Sequence, residues 1–277
     1  MRQSIEAATE SAVKESTGAL GRINVSIEDK VGWIELDNPS KLNAISLGMW
    51  RDLTDALANF ESDPGLRCVV ITGHGVKAFC AGADISEKGR PQSDSAQDQD
   101  HLIIDALRKV QAFPKPTIAM VRGHCLGGGL ALAIACDLRI AAVGSRFGIP
   151  AAKLGLACFH SVVERLAGLV GPSTAKRILF TADRFPGQDA LRFGLIDELV
   201  DADQLRSAVR DMAAGIAANA PLTVAAAKHA VETVFSEASQ SHGAACVERE
   251  QACIESQDYV EGRRAFLEKR APVFQGR

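Results

Sequence analysis

Two glycine-rich segments, each placed directly after a short apolar run, constrain this chain more than any other feature. The first is residues 78–84 (AFCAGAD) after the run 68–72, and the second is 123–129 (GHCLGGG) after 117–121. Short apolar runs that are rich in β-branched residues and stopped by glycine are typical of buried strands. Small residues after a strand let the backbone approach a ligand closely. Two backbone N–H groups presented in this way can form an oxyanion hole, which stabilises negative charge on a carbonyl oxygen.

The first part of the chain predicts a hairpin followed by a helix. Residues 23–36 form the predicted hairpin, in which Ile23, Val25 and Ile27 alternate and therefore share one face. Ser46 is a predicted N-cap, and the helix after it ends at the turn signal 63–65 (DPG). We therefore expect a β-hairpin and then a capped helix in this part of the chain.

Strand and helix patterns then alternate, which favours βαβ units around a parallel core. We predict a flexible N-terminal leader over 1–21, an α/β core over 22–200 and a C-terminal helical region over 201–277. A polar segment, 86–100, predicts a mobile loop beside the first glycine-rich segment. Further predicted helices cover 101–112, 130–135, 205–218, 221–238 and 246–269.

Composition excludes several classes of protein. The net charge of −3 leaves no broad basic surface for nucleic acid. The seven cysteines are odd in number and contain no C-x-x-C pair, which favours a reduced intracellular protein. Cysteines and histidines show no metal-ligand spacing, so we expect no metal site. The N-terminus lacks the apolar region of a secretory signal and no apolar run approaches membrane-spanning length, so we expect a cytoplasmic protein with no membrane partner.

Five motifs in a fixed order carry a resemblance to a known family. They are NPSKLNA at 38–44, AGAD at 81–84, GHCLGGG at 123–129, ACDLRIA at 135–141 and FLEKR at 266–270. In this order they resemble the crotonase superfamily, the enoyl-CoA hydratase/isomerase proteins, from about Ile23 to Phe274. The resemblance implies an α/β fold built as a spiral of ββα repeats, with a C-terminal helical trimerisation region.

The same resemblance implies a substrate and a set of site residues. The substrate is an acyl-CoA thioester, whose oxygen is held by the backbone N–H groups of Ala83 and Gly128 while an enolate forms. Coenzyme A is then part of the substrate, and no separate cofactor is expected. The assembly implied is a homotrimer or a hexamer made of two trimers. The residues placed on the CoA moiety are Lys41, Ala81, Asp84, Ile85, Phe266 and Lys269.

The chain departs from the family at two positions that carry chemistry. Enoyl-CoA hydratases of this family use one glutamate three residues after the second oxyanion donor and another after a proline about twenty residues later, as general acid and base. Here those positions are Ala131 and Ala151. Alanine cannot transfer a proton, which puts the usual hydratase and isomerase mechanisms in doubt.

His160 and Glu164 are the candidate replacements. A near-neutral imidazole suits a base, and Glu164 lies one helical turn further on, where it can orient the ring. The competing interpretation, which we favour at this point, is a histidine at a helix N-terminus or interface and a solvated glutamate. Packing roles are favoured for Cys80, Cys125 and His124.

Two functions of different classes therefore remain open. The first is an acyl-CoA enzyme, a lyase or isomerase of fatty acid metabolism, with a non-standard acid or base. The second is a non-catalytic acyl-CoA binder or assembly subunit, which the two alanines support. Turnover of a CoA thioester discriminates between them.

Overall fold

Two β-sheets form the centre of the part of the chain that the computed structural model describes, which is residues 21–84, 96–234, 247–249 and 251–277. The strands in chain order are β1 (Arg22–Glu28), β2 (Val31–Asp37), β3 (Cys68–Gly73), β4 (Ala78–Cys80), β5 (Thr117–Val121), β6 (His124–Leu126), β7 (Leu138–Ala142), β8 (Arg146–Gly148), β9 (Phe185–Pro186) and β10 (Glu198–Val200). The larger sheet has the order β1-β2-β3-β5-β7-β10, and the smaller has the order β4-β6-β8-β9. Among the strand pairs of the described residues, the outer pairs β1–β2 and β8–β9 are antiparallel and the others are parallel.

Helices cover both faces of the larger sheet. In chain order they are α1 (Leu47–Ser62), α2 (Ala96–Gln111), α3 (Gly128–Ala135), α4 (His160–Thr181), α5 (Gly187–Arg192), α6 (Leu205–Ala217), α7 (Pro221–Val234) and α8 (Gln257–Glu268). Helix α6 packs Leu205, Val209 and Ala213 on one face of the larger sheet. On the other face, α1 to α4 share a core with side chains from both sheets. Of the helices described, none is long and apolar enough to cross a membrane.

A ββα unit repeats three times along the chain. In each unit a strand of the larger sheet is followed by a strand of the smaller sheet and then by a helix: β3, β4 and α2, then β5, β6 and α3, then β7, β8 and α4. Equivalent strands pair in parallel, as at Val70 with Ile118 and at Ala78 with His124. The spiral of ββα repeats with C-terminal helices, which the family resemblance predicts, is therefore confirmed.

Local signals predicted the hairpin and α1 well. Residues Asp29 and Lys30 make the turn, with φ of 48° and 68°. The hydroxyl of Ser46 accepts a hydrogen bond from Met49 N at 3.1 Å and so caps α1. Asp63 ends that helix. Val25 and Ile27 share a face of β1, as predicted, but that face is half exposed because β1 is the edge strand.

Two boundaries were predicted wrongly. The predicted loop over 86–100 ends early, because α2 begins at Ala96 and brings Ile103 and Leu107 into the core. The remainder of that predicted loop lies outside the described residues. The predicted helix over 246–269 is interrupted at Ser256. Its hydroxyl accepts from Tyr259 N at 3.1 Å and starts a new helix, α8. The predicted leader also lies outside the described residues, except for its last residue.

Candidate active site

The loop after β4 is pinned to the start of α1 and leaves one N–H free. Ile45 N donates to Gly82 O at 2.9 Å, and Asp84 N donates to Ile45 O at 2.9 Å. Ala83 lies between these two bonds. Among the described residues, no acceptor is found for the Ala83 N–H.

Gly128 presents a second free N–H at the start of α3. The N–H groups of the first helical turn have no acceptor within the helix, and none of the described residues outside it accepts from Gly128. The preceding residue, Gly127, has φ of 52° and ψ of −119°, a conformation that favours glycine, and its N–H donates to Gly148 O at 2.9 Å. The macrodipole of α3 adds positive potential at this end.

The two loops are in contact with each other. A Cβ atom added to Gly128 would lie 3.3 Å from Ala83 N, and one added to Gly82 would lie 3.8 Å from Gly128 N. Two N–H groups that have no acceptor among the described residues therefore lie close together on two different loops. That arrangement can hold one oxygen atom that carries negative charge.

Close packing of α3 on β4 keeps the two loops together. A Cβ on Gly129 would lie 2.2 Å from Cys80 O and 2.7 Å from Cys80 Cβ, so only glycine fits there. At the turn between β5 and β6, a Cβ on Gly123 would lie 2.0 Å from Lys77 O. In the second glycine-rich segment, Gly123 and Gly129 thus allow close packing, and Gly128 supplies the N–H.

Ala131 and the residue before Ala151 lie beside this arrangement. Ala131 is buried one turn into α3, and its N–H donates to Gly127 O at 3.0 Å. Pro150, the residue before Ala151, places its Cδ 4.0 Å from a Cβ added to Gly127. Neither alanine carries a group that can move a proton.

Comparison with known proteins places the chain in a family. The model of the enoyl-CoA hydratase/isomerase family matches residues 26–277. The chain belongs to this family. It is 35% identical over 251 residues to the crotonyl-CoA hydratase of Syntrophomonas wolfei, covering 89% of this chain and 95% of the relative. The short-chain-enoyl-CoA hydratase of Clostridium acetobutylicum is 32% identical over 259 residues, covering 91% and 96%.

Solved structures agree with this family and with the fold. A crystal structure of an enoyl-CoA hydratase from Bacillus anthracis is similar with a TM-score of 0.87 and 31% identity, and the match covers 92% of this chain and 99% of that one. The α/β architecture predicted for this family is thus shared over almost the whole chain.

Two small cavities adjoin the residues that the family motifs single out. One, of about 20 Å³, is lined by Ala83 together with Ile45, Leu47, Trp50, Asp84, Gln99, Asp100 and Ile103. The other, also about 20 Å³, is lined by Ala131 together with α2 and α4 residues that include Leu107, Gln111, Ser161 and Arg165. No sequence motif marks these α2 and α4 residues, and only the packing of the helices brings them to the site.

His160 and Glu164 line neither of these two small cavities. Both are exposed and line a larger cavity of about 980 Å³ between α4 and α7. Neither Ala83 nor Gly128 is among the described residues that line it, and the same holds for the two alanines. The face of α4 that meets Ala131 carries Ser161 and Arg165 instead.

The thiols nearest the site are buried and protonated at neutral pH. Burial raises the pKa of Cys80 to about 12 and raises that of Cys125 well above its usual value. A thiol in this state is neither a nucleophile nor a base. This agrees with the packing roles that the sequence favours for both.

The predicted CoA-contacting residues fall into two groups. Lys41 donates to Asp84 at 2.6 Å, and Ala81 N donates to Leu42 O at 3.0 Å, so these three residues lie around the first loop. Phe266 is 83% exposed on α8 and lines a separate groove with Tyr259 and Phe274, and Lys269 caps the end of α8. Neither of these two lines a cavity at Ala83 or Ala131. Ile85 lies outside the described residues.

Proposed function

We propose that this protein is an enzyme that acts on an acyl-CoA thioester and stabilises its enolate with the N–H groups of Ala83 and Gly128. The observation that carries the proposal is the pair of unpaired N–H groups, on two loops in contact, with the second at a helix N-terminus. Relatives named as enoyl-CoA hydratases support hydration of an enoyl-CoA, which makes the enzyme a lyase. Isomerase chemistry passes through the same enolate.

The physical advantage of this arrangement lies in the transition state. Negative charge grows on the thioester oxygen as the enolate forms, and fixed donors that already point at it need no reorganisation. Removing one such donor typically raises the barrier by about 3–4 kcal/mol. The proton must be moved by a group other than residues 131 and 151, because both are alanine.

Binding of the CoA moiety is proposed to involve both groups of residues described above. Lys41, Ala81, Asp84 and Ile85 would line the path beside the first loop. Phe266 and Lys269 would serve a neighbouring subunit, an aromatic ring against adenine and an ammonium against phosphate. We propose a homotrimer, or a hexamer of two trimers, that works in the cytoplasm with no cofactor apart from the CoA of its substrate.

A second function, that of an acyl-CoA binder without turnover, is favoured by one observation only. Both positions at which hydratases of this family carry a glutamate hold alanine, Ala131 and Ala151. In that case the glycine-rich loops would hold the thioester, and the protein would act as a carrier or assembly subunit.

One assay separates the two functions. We expect the protein to bind butyryl-CoA and to hydrate crotonyl-CoA or trans-2-octenoyl-CoA. Hydration is measured as the loss of the enoyl absorbance. The double variant Ala131→Glu/Ala151→Glu is run beside it. Binding without turnover by the natural chain, with activity gained by the double variant, would support the binder; failure to bind any CoA thioester would contradict both functions.

A further inference from the structure

The cavity beside Ala83 has the size and the lining of a site for one water molecule. Its volume of about 20 Å³ exceeds the smallest space that holds a water, which is about 10–15 Å³. The described residues that line it come from three places: the start of α1 with Ile45 before it, the loop at Ala83, and the first two turns of α2. A water bound there would lie next to a residue whose N–H is proposed to hold the thioester oxygen.

Polar side chains of the lining can hold such a water. Asp84, Gln99 and Asp100 line the cavity, whereas Trp50 contributes its ring, because the indole Nε1 is closed to a water-sized probe. Carboxylate and amide groups supply the two or more hydrogen-bond partners that a buried water needs.

Asp100 supplies a carboxylate at the same cavity. It is half-buried on α2 and forms no hydrogen bond or ion pair with the described residues. Its position on the helix also points to the site. Leu107 and Gln111, two and three turns further on, lie on the same side of α2 and line the cavity at Ala131. One side of α2 therefore lines the cavity at Ala83 near the start of the helix and the cavity at Ala131 near its end.

Other titratable groups on the two cavities are unsuited to accept a proton. Asp84 is held by the Lys41 ammonium at 2.6 Å. Arg165 is paired with Glu232 at 3.0 Å. Arg108, which lines the cavity at Ala131, is a guanidinium like Arg165, and a guanidinium stays protonated and has no acceptor atom. Among the described lining residues this leaves Asp100.

We infer that Asp100 is the proton-transfer group of this enzyme and acts on a water held in the cavity that it lines together with Ala83. This inference rests on the proposed function. In the hydration step, the water oxygen bonds to C3 of an enoyl-CoA, the C2–C3 π pair moves into a thioester enolate held by Ala83 and Gly128, and the water proton passes to Asp100. The carboxylic acid then delivers that proton to C2. The enolate returns to the thioester, and a 3-hydroxyacyl-CoA leaves with Asp100 again ionised.

The test compares Asp100→Asn with Asp105→Asn in the purified full-length protein. Asp105 lies on the same helix, is 65% exposed and is 3.8 Å from Arg108, so its amide variant controls for loss of a negative charge on α2. We expect Asp100→Asn to lower kcat for crotonyl-CoA by about 10²–10⁴-fold, the usual contribution of a general acid or base, with the Kd of butyryl-CoA unchanged. Asp105→Asn should keep the wild-type kcat, and Asp100→Glu should recover part of the loss.

Three results would overturn the inference. The first is an Asp100→Asn variant with wild-type kcat, and the second is one that loses butyryl-CoA binding together with turnover, which would make Asp100 structural. The third is a wild-type protein that binds butyryl-CoA but hydrates no enoyl-CoA. Failure of the wild-type protein to bind butyryl-CoA would instead contradict the proposed function itself.

Discussion

Replacing Gly128 with alanine is expected to lower kcat/KM for crotonyl-CoA by about 10²–10³-fold, the effect of losing one oxyanion donor. The added Cβ would lie 3.3 Å from Ala83 N and 3.6 Å from Gly82 C. It would therefore cover the Ala83 N–H at the point where the thioester oxygen must approach. The fold should tolerate the change, because Gly128 does not have a positive φ and a contact of 3.3 Å is relieved by a small shift.

Gly215→Ala is the matched control for that variant. Gly215 lies within α6, and a Cβ added there meets nothing within 4 Å. We expect wild-type kinetics and a gain of about 0.5–1 kcal/mol in the free energy of unfolding, since alanine is the better helix former. A Gly128→Ala variant that retained the kcat/KM of the wild type would show that the Ala83 N–H does not contact the reacting oxygen.

Gly129→Ala, one residue further on, is expected to act on stability. Its Cβ would lie 2.2 Å from Cys80 O and 2.7 Å from Cys80 Cβ, and neither atom can move without shifting β4. Overpacking against backbone is expected to cost about 3 kcal/mol of unfolding free energy. The melting temperature should then fall by about 6–12 °C.

Chemical and thermal unfolding measure this effect directly, with Gly128→Ala as the neighbouring comparison. Gly128→Ala should lose turnover and keep its stability, whereas Gly129→Ala should lose stability. An unchanged melting temperature for Gly129→Ala would contradict the close approach of α3 to β4.

Structure set by short-range signals could be predicted from the sequence. The cap at Ser46 and the strand at 117–121 each depend on a few neighbouring residues. The start of α2 at Ala96 was missed because the surrounding residues are polar, and the packing of Ile103 and Leu107 on other elements stabilises the helix. The break at Ser256 was missed because helical periodicity continues across it.

In the candidate site, too, some residues are marked by sequence motifs and others are brought there only by tertiary packing. Motif order singled out Ala83 and Gly128, and the structure brings them together. The sequence showed that His160 and Glu164 are one helical turn apart. It could not show which cavity they line, because the face of a helix that meets the site depends on tertiary packing. Asp100 carries no motif, and its place beside Ala83 follows only from how α2 packs.

The central claim is that Ala83 and Gly128 N–H groups hold the thioester oxygen. The most direct measurement is the ¹³C NMR chemical shift of the thioester carbon in [1-¹³C]butyryl-CoA, free and bound, because hydrogen bonds to the oxygen polarise the carbonyl whether or not turnover follows. We predict a downfield shift on binding to the wild-type protein and a smaller shift with Gly128→Ala. A bound thioester whose carbon resonates at the free value would contradict the oxyanion hole.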